Sequence, residues 1–323
     1  MTLFNLKYPI FQAPTGSIAV PELCAAVSAA GGLGAMALTW ANPEEAARQI
    51  RQVLERTKNP FQVNFALAFP PISLEAALEA GAPVVTFSWG DPRPHLSKVR
   101  AVGAKFGIQV TTGEGARRAL QYQPDFLICQ GVEAGGHVQA TQSLWQVLTE
   151  VVLAADKVPV IAAGGIGDGD GIGKALNAGA TGAMLGTRFV ATIESGAHPE
   201  YKRKLLESSV TQTALTVCFD GNWPYAAQRV LRNPTLEAWE AAGCPPKGQR
   251  PGEGEVVGLS ANGEAIYRYE DTAPRVGFTG DALDMCCYAG TSVSFVNDLP
   301  SATDLVPRLW AETQNYLDRQ SRT

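Results

Sequence analysis

The stretch that decides the fold is residues 159–189, PVIAAGGIGDGDGIGKALNAGATGAMLGTRF. It opens with an apolar run at 159–163, continues through a glycine-rich turn into an amphipathic segment at 171–178, and closes on a second apolar run at 182–186. Continuous apolar runs are typical of parallel strands that are buried on both faces, and the segment between them has helical spacing. The stretch therefore predicts a strand–helix–strand unit of an α/β protein.

The same alternation extends back to the N-terminus. Six further apolar runs are predicted as strands, at 9–14, 32–38, 62–67, 84–88, 105–110 and 126–130. Helical patterns lie between them, at 21–30, from 42 onward, and at 73–80, 95–102, 114–121 and 144–155. Each strand–helix pair takes roughly 20–30 residues, as in a β/α barrel. Because no GxGxxG motif follows an early strand, eight strands favour a closed (β/α)₈ TIM barrel over an open doubly wound sheet.

The chain changes character after residue 190. Helices are predicted at 199–208 and 233–243, a Pro/Gly/Glu-rich surface loop or mobile segment at 244–263, and further helices at 281–288 and 303–319. We expect residues 1–194 and 281–323 to form the barrel. Residues 195–280 are expected to be a helical insertion after strand eight, a lid that contributes to the substrate site.

Composition and charge exclude several classes of function. The 323 residues carry a net charge of −5, so we expect no basic surface for nucleic acid or for an anionic membrane. No apolar run approaches the roughly 20 residues of a membrane span, and the N-terminus lacks the pattern of a signal peptide. The six cysteines form no CxxC pair and are expected to be reduced thiols. A cytoplasmic protein follows, and a homodimer stays open.

Two strand ends have the features of a phosphate site. In a β/α barrel the functional residues lie at the carboxyl ends of the strands, and the loops after strands seven and eight commonly bind phosphate. Gly164 and Gly165 follow the seventh predicted strand and precede a helix whose first N–H groups would stabilise a phosphate. The eighth strand ends in the run Met184-Leu185-Gly186-Thr187. Together these two ends predict a phosphorylated cofactor.

The candidate catalytic residue lies after strand six, in the segment Gln130-Gly131-Val132-Glu133-Ala134-Gly135-Gly136-His137. A core histidine rarely needs two glycines beside it, whereas a histidine aimed at a planar cofactor does. Glu133 is either a general base or a structural hydrogen-bond partner. The sequence contains no HExxH or CxxC spacing, no paired carboxylates at strand ends and no nucleophile elbow. Hydrolysis and metal catalysis are therefore disfavoured.

At these residues the sequence resembles the nitronate monooxygenase family, formerly called 2-nitropropane dioxygenases. The resemblance covers nearly the whole chain. It is carried by the motifs at 8–14 (YPIFQAP), 63–65 (VNF), 130–137 (QGVEAGGH), 162–166 (AAGGI), 185–189 (LGTRF) and 288–290 (YAG). The EAGGH element is quite specific, whereas the Gly-Gly-Ile element is shared by several phosphate-binding barrels.

The resemblance implies an FMN held without a covalent bond. The residues that it assigns to the flavin are Ala13, Pro14, Asn64, Gln130, Gly135, Gly136, Gly164, Gly165, Met184, Leu185, Gly186 and Thr187. The family's active-site histidine falls on His137. The implied reaction is the oxidation of an alkyl nitronate such as propionate 3-nitronate by O₂, which gives a carbonyl compound and nitrite or nitrate. His137 would hold the nitronate or take a proton from a neutral nitroalkane.

Three departures from the family pattern lie where the substrate would be selected. Val138-Gln139-Ala140 follows the histidine where members commonly have RG or IG, Thr15 replaces a methionine, and residues 244–275 match no family pattern. A different flavin reaction on the same scaffold therefore stays open, either NAD(P)H:quinone reduction or enoyl-thioester reduction. A flavin or phosphate-ligand binding protein without turnover is the non-enzymatic alternative, and a histidine beside the cofactor speaks against it.

Overall fold

The computed structural model describes residues 3–322. Its strands are β1 (Ile10–Gln12), β2 (Gly34–Ala37), β3 (Phe61–Ala66), β4 (Val84–Ser88), β5 (Lys105–Val110), β6 (Phe126–Gln130), β7 (Gly136–His137), β8 (Val160–Ala163), β9 (Gly182–Leu185), β10 (Thr213–Thr216), β11 (Gln228–Leu231), β12 (Val256–Leu259), β13 (Ala265–Tyr267) and β14 (Thr279–Gly280). Its α-helices are α1 (Pro21–Ala29), α2 (Pro43–Arg56), α3 (Leu74–Glu79), α4 (Arg93–Ala101), α5 (Gly113–Leu120), α6 (Leu144–Ala155), α7 (Gly169–Asn177), α8 (Thr187–Val190), α9 (Pro199–Leu206), α10 (Pro234–Ala241) and α11 (Ala302–Gln320).

Eight parallel strands form the predicted barrel. Their order is β1-β9-β8-β6-β5-β4-β3-β2, and a parallel bridge between Phe11 and Leu33 joins the two outer strands of that order. Side chains complete the seam, because the Gln12 amide bonds to both the N–H and the carbonyl of Ala35, each at 3.0 Å. Gln62 adds a bond of 3.0 Å from its Nε2 to the Gln12 carbonyl. The fold predicted from the sequence is confirmed.

Local sequence signals explain the helices around the barrel. Asn42 begins α2, where its side chain accepts a hydrogen bond of 2.9 Å from the Glu45 N–H. Ala46, Ile50 and Val53 recur at helical spacing and are buried against the strands. The C-terminal helix α11 packs on α7, so the helix predicted at 303–319 covers the outside of the barrel as expected.

The helix predicted at 281–288 is wrong. Only Ala282–Asp284 form a short 3₁₀ turn, and the chain then runs extended beside β11. Leu231 donates to the Cys287 carbonyl at 2.8 Å, and the Ala289 N–H donates to the Arg229 carbonyl at 3.2 Å. Backbone pairing with β11 therefore overrides the local helical pattern.

The segment 195–280 holds the two predicted helices, α9 and α10, together with five strands that the sequence did not predict. One set, β10 and β11, continues into β7 as a three-stranded antiparallel sheet; the other, β12 to β14, forms a separate small sheet. Strand β12 lies inside the stretch at 244–263 that we expected to be a loop. Among residues 3–322, no helix is both long and apolar enough to span a membrane.

Candidate active site

The predicted cofactor residues meet on one rim of the barrel. Ala13 follows β1 and donates its N–H to the Leu185 carbonyl of β9 at 2.9 Å. Gly131 follows β6 and donates to the Ala163 carbonyl of β8 at 2.9 Å. Strands β1, β9, β8 and β6 are consecutive neighbours, so their carboxyl ends bring together Ala13, Pro14, Met184, Leu185, Gly186, Thr187, Gly164, Gly165, Gln130, Gly135 and Gly136. Asn64 lies apart from this group, on β3, where its Nδ2 donates to Thr86.

Backbone geometry explains the glycine pair after β8. Gly164 has φ +112° and Gly165 has φ +71°, in the left-handed region that side chains rarely occupy. A Cβ on Gly165 would lie 2.9 Å from Glu133 Cβ and from Thr291 Oγ1. The loop therefore turns tightly and packs against the segments that follow β6 and precede α11.

The sequence predicts that the first N–H groups of α7 are free to bind a phosphate, and the structure shows that two of them are already hydrogen-bonded. Helix α7 begins at Gly169, and its N-cap Asp168 accepts a bond of 2.8 Å from the Gly171 N–H. A Glu312 carboxylate oxygen from α11 accepts from the Gly169 N–H at 3.1 Å. Two carboxylates thus occupy the helix end that the sequence assigned to an anion. On this rim the short helix α8, after Gly186, retains first-turn N–H groups that have no intrahelical acceptor.

The insertion holds His137 in place. Gly136 and His137 form β7, which pairs with β11 in the register Gln228↔His137 and Arg229↔Gly136. The next N–H, of Val138, donates to the Ala227 carbonyl at 2.9 Å. The histidine after barrel strand β6 is therefore fixed by a sheet that residues 213–231 supply.

Aromatic rings surround the His137 imidazole. Trp223 stacks on it with ring centroids 4.4 Å apart and an interplanar angle of 30°. Trp89 lies edge-on at 6.5 Å, and Tyr288 lies at 5.8 Å. Trp89 directly follows β4 and has φ +60°, a strained conformation for a bulky residue and one that is common at functional sites. Three aromatic side chains thus form much of the surroundings of the imidazole.

Burial shapes the chemistry of this imidazole. The His137 side chain is 12% exposed, and its Nε2 has no hydrogen-bond partner among the residues that the structure describes. Burial lowers the pKa of His137 to about 4, so the ring is neutral at pH 7. The charged group that faces Nε2 is Asp271, whose Oδ2 lies 3.9 Å away.

Glu133 has a structural environment. Its Oε1 accepts a bond of 2.5 Å from the Ser143 hydroxyl, and its Oε2 accepts one of 2.9 Å from the Leu144 N–H. Oε2 therefore caps the first N–H of α6, and Oε1 holds the hydroxyl of its N-cap residue. Of the two roles left open by the sequence, this geometry favours the structural hydrogen-bond partner over the general base.

Several residues of the site were missed by sequence reasoning. Trp89, Trp223 and Asp271 reach His137 from three separate parts of the chain. Gln139, one of the departures from the family pattern, accepts 2.7 Å from Gln109 Nε2 and donates its N–H to Gln130 Oε1 at 3.0 Å. Two sequence signals could have indicated these residues: Trp89 directly follows a predicted strand, and Gln139 departs from the family pattern.

The burial of His137 can be tested by measuring how the stability of the protein changes at acid pH. An unfolded histidine titrates near 6.5, so as the pH falls the unfolded chain binds a proton before folded His137 does, and stability is lost between pH 6.5 and about 4. His137→Gln should remove that dependence, a difference of about 2–3 kcal/mol between pH 7.5 and 4.5. Urea unfolding at both pH values measures it. His95→Gln, at a partly exposed histidine whose pKa burial also lowers, should remove a smaller part of the pH dependence. Equal pH dependence in wild type and His137→Gln would contradict the burial argument.

This fold and this rim are typical of one class of protein. Its members are barrel enzymes that bind a phosphorylated cofactor at the carboxyl ends of their strands. A family model described as nitronate monooxygenase matches residues 1–312. The chain therefore belongs to the nitronate monooxygenase family. The family is flavin-dependent, and this protein is an oxidoreductase.

Individual relatives agree with this assignment. A nitronate monooxygenase from Pseudomonas aeruginosa is 32% identical in an alignment that covers 76% of this chain and 82% of that protein. The structure of FabK from Thermotoga maritima has a TM-score of 0.82 and 26% identity, and the match covers 99% of this chain and 97% of that one. A nitroalkane oxidase from Streptomyces ansochromogenes has a TM-score of 0.80 and 29% identity, covering 99% of both chains.

Proposed function

We propose that this protein is an FMN-dependent monooxygenase that oxidises alkyl nitronates, such as propionate 3-nitronate, with O₂ to carbonyl compounds and nitrite or nitrate. The observation that carries the proposal is His137, a neutral imidazole among aromatic rings, on the same rim as two glycine-containing loops. The Pseudomonas aeruginosa nitronate monooxygenase and the Streptomyces nitroalkane oxidase support the substrate class.

The residues on the rim fit an FMN in their chemistry. A Cβ on Gly136 would meet no atom within 4 Å, so the backbone there borders open space that a ring system can approach. Thr15 Oγ1 is a buried polar atom without a partner among the described residues, and the Thr15 side chain lies beside Gly186. The phosphate is assigned to the loops at 164–165 and 186–187, and the ring system to the ends of β1, β3 and β6. When bound, FMN accepts electrons from the substrate and passes them to O₂.

This chain's own contribution is to bind and orient the substrate and to handle one proton. His137 is a neutral base that takes a proton from the α-carbon of a neutral nitroalkane. When an anionic nitronate binds instead, the same nitrogen takes up a proton from solvent, and both routes give one imidazolium–nitronate pair. The rings of Trp89 and Trp223 contact the alkyl part and exclude water, which strengthens that pairing.

Steady-state turnover tests the proposal. We expect the purified yellow protein to consume O₂ and release nitrite when propionate 3-nitronate is added. Heat-denatured protein in the same buffer corrects for the chemical oxidation of the nitronate. An FMN-loaded protein that consumes no O₂ above that background would contradict nitronate oxidation.

A second candidate is reduction of an enoyl thioester or a quinone by NAD(P)H. The similarity to FabK, an enoyl reductase, over 99% of this chain favours it. The discriminating feature is the electron donor, because this reaction requires rapid transfer from NADH or NADPH. Turnover of a nitronate without a nicotinamide separates the two candidates.

We also propose that the enzyme acts in the cytoplasm. The six cysteines support this location, because all are free of disulfides and five of them are buried. The substrate is a small molecule, and a homodimer stays a prediction.

A further inference from the structure

Asp271 is the charged neighbour of His137 that the proposed reaction has not yet used. It lies four residues after β13, and its Oδ2 is 3.9 Å from His137 Nε2. The two side chains are 8% and 12% exposed. Nε2 is buried and has no hydrogen-bond partner in the part of the chain that the structure describes, and the Asp271 carboxylate is the charged acceptor that faces it.

Other contacts hold the carboxylate in this position. Asn222 Nδ2 donates to Asp271 Oδ1 at 2.6 Å, which leaves Oδ2 for the histidine. Tyr288 donates its hydroxyl to the Asp271 carbonyl at 2.6 Å. Burial raises the pKa of Asp271, while the Asn222 amide and the backbone N–H groups of Asp271 and Asn222 oppose that rise by favouring the charged form.

The same contacts tie the aspartate to the wall of the site. Asn222 precedes Trp223, whose ring stacks on His137, and Tyr288 lies 5.8 Å from the imidazole. The carboxylate, the stacked ring and the phenol thus surround His137 from the insertion and from the segment before α11. No other carboxylate is paired with His137 among residues 3–322.

We propose that Asp271 is the positioning residue for His137 in the reaction proposed above, on which this inference rests. A carboxylate facing Nε2 places the single proton of the neutral imidazole on Nε2, because two lone pairs facing each other would repel. Nδ1 is then the bare nitrogen that meets the substrate. When Nδ1 takes the α-proton of a nitroalkane, the C–H electron pair stays on the substrate as the nitronate, and Asp271 stabilises the imidazolium that forms.

The tautomer of the wild-type histidine gives a direct test. Protonated and bare ring nitrogens differ widely in ¹⁵N chemical shift, so ¹⁵N-histidine protein at pH 7.5 reports the state of each ring. The chain has three histidines, and His95→Gln and His198→Gln assign the remaining signals to His137. We expect Nε2 protonated and Nδ1 bare. The opposite tautomer in the wild-type holoenzyme would overturn the proposal.

Asp271→Asn provides the second test, since an amide can donate to Nε2 as well as accept from it. We expect a mixture of tautomers, a loss of about 10-fold or more in kcat with neutral nitroethane, and a higher KM for the preformed nitronate with a smaller change in its kcat. The matched control is Asp284→Asn, because Asp284 is 12% exposed and pairs with Arg268 at 2.7 Å instead of a histidine. It should alter stability and leave the His137 tautomer and the ratio of the two substrates unchanged.

The outcomes separate this inference from the proposed function. If Asp271→Asn fails to fold, the wild-type tautomer still decides. The wild type could oxidise no nitronate and still carry its proton on Nε2, with Asp271→Asn removing that preference. In that case Asp271 positions His137, and the proposed nitronate substrate is wrong. If Asp271→Asn folds with an unchanged tautomer and both substrates lose activity equally, Asp271 is structural and the inference is wrong.

Discussion

The His137→Ala protein is expected to keep its flavin and to lose about 100- to 10,000-fold in kcat with a neutral nitroalkane, the range of general-base catalysis. The physical reason is that His137 lies on the rim after β6, and its neutral ring can take the proton at pH 7. With preformed nitronate, kcat/KM should fall about 10-fold or more, because the anion loses the imidazolium that pairs with it. Steady-state kinetics and the flavin absorbance per chain measure both parts.

His95→Ala is the control, since His95 lies on α4 and stacks on Phe87 instead of facing the rim. It should leave both substrates within about 2-fold of wild type, as expected for a position that contacts no reacting atom. Unchanged activity in His137→Ala would show that this histidine is structural.

The second large effect is expected at Gly135. A Cβ there would lie 2.5 Å from the Gly290 backbone nitrogen and 2.8 Å from the Ala289 carbonyl carbon. Backbone atoms cannot swing aside as a flexible side chain can, so Gly135→Ala must push the 289–290 segment away from the loop after β6. We expect a destabilisation of about 3 kcal/mol, at the upper end of overpacking costs, and loss of most of the bound flavin.

Gly103→Ala is the matched control for Gly135→Ala. Gly103 has φ +72° and open space around its Cβ, and it lies between α4 and β5. The substitution should cost about 1 kcal/mol through backbone strain and leave flavin content unchanged. Urea unfolding and flavin absorbance are the measurements. A Gly135→Ala protein as stable and as yellow as Gly103→Ala would contradict the packing of 135 against 289–290.

The barrel itself was predictable, because each of its strands has a hydrophobic pattern that can be recognised in the local sequence. Runs such as 84–88 and 126–130 are mostly apolar, and in the structure both strands are buried along their whole length. The rim was predictable for the same reason, since residues that follow parallel strands must meet at one end of the barrel. Their assignment to FMN came from the family resemblance and stays a proposal.

The insertion was harder to predict because its structure depends on long-range pairing. Residues 281–288 have a helical pattern, yet after the 3₁₀ turn at 282–284 the chain runs extended, because the backbone at 287–289 pairs with β11, more than 50 residues earlier in the chain. Strand β7 has two residues, too few for a period-2 pattern to show. The register of β7 on β11 also brings the insertion to His137, so Asp271 and Trp223 carried no local signal.

The N-terminus of α7 shows a further limit of prediction from the sequence, because its N–H groups are already hydrogen-bonded within the protein. A glycine-rich turn before a helix is a sound signal for an anion site, but Glu312 reaches the Gly169 N–H from the far end of the chain. Only the docking of α11 on α7 reveals that the donor is taken.

Anaerobic stopped-flow mixing shows whether a nitronate or a nicotinamide reduces the flavin of this protein. The purified protein is mixed with propionate 3-nitronate, with NADH or with NADPH, and the visible flavin absorbance is followed. We expect rapid loss of absorbance with the nitronate and none on that timescale with either nicotinamide. Rapid loss with a nicotinamide and none with the nitronate would contradict it and would favour a reductase.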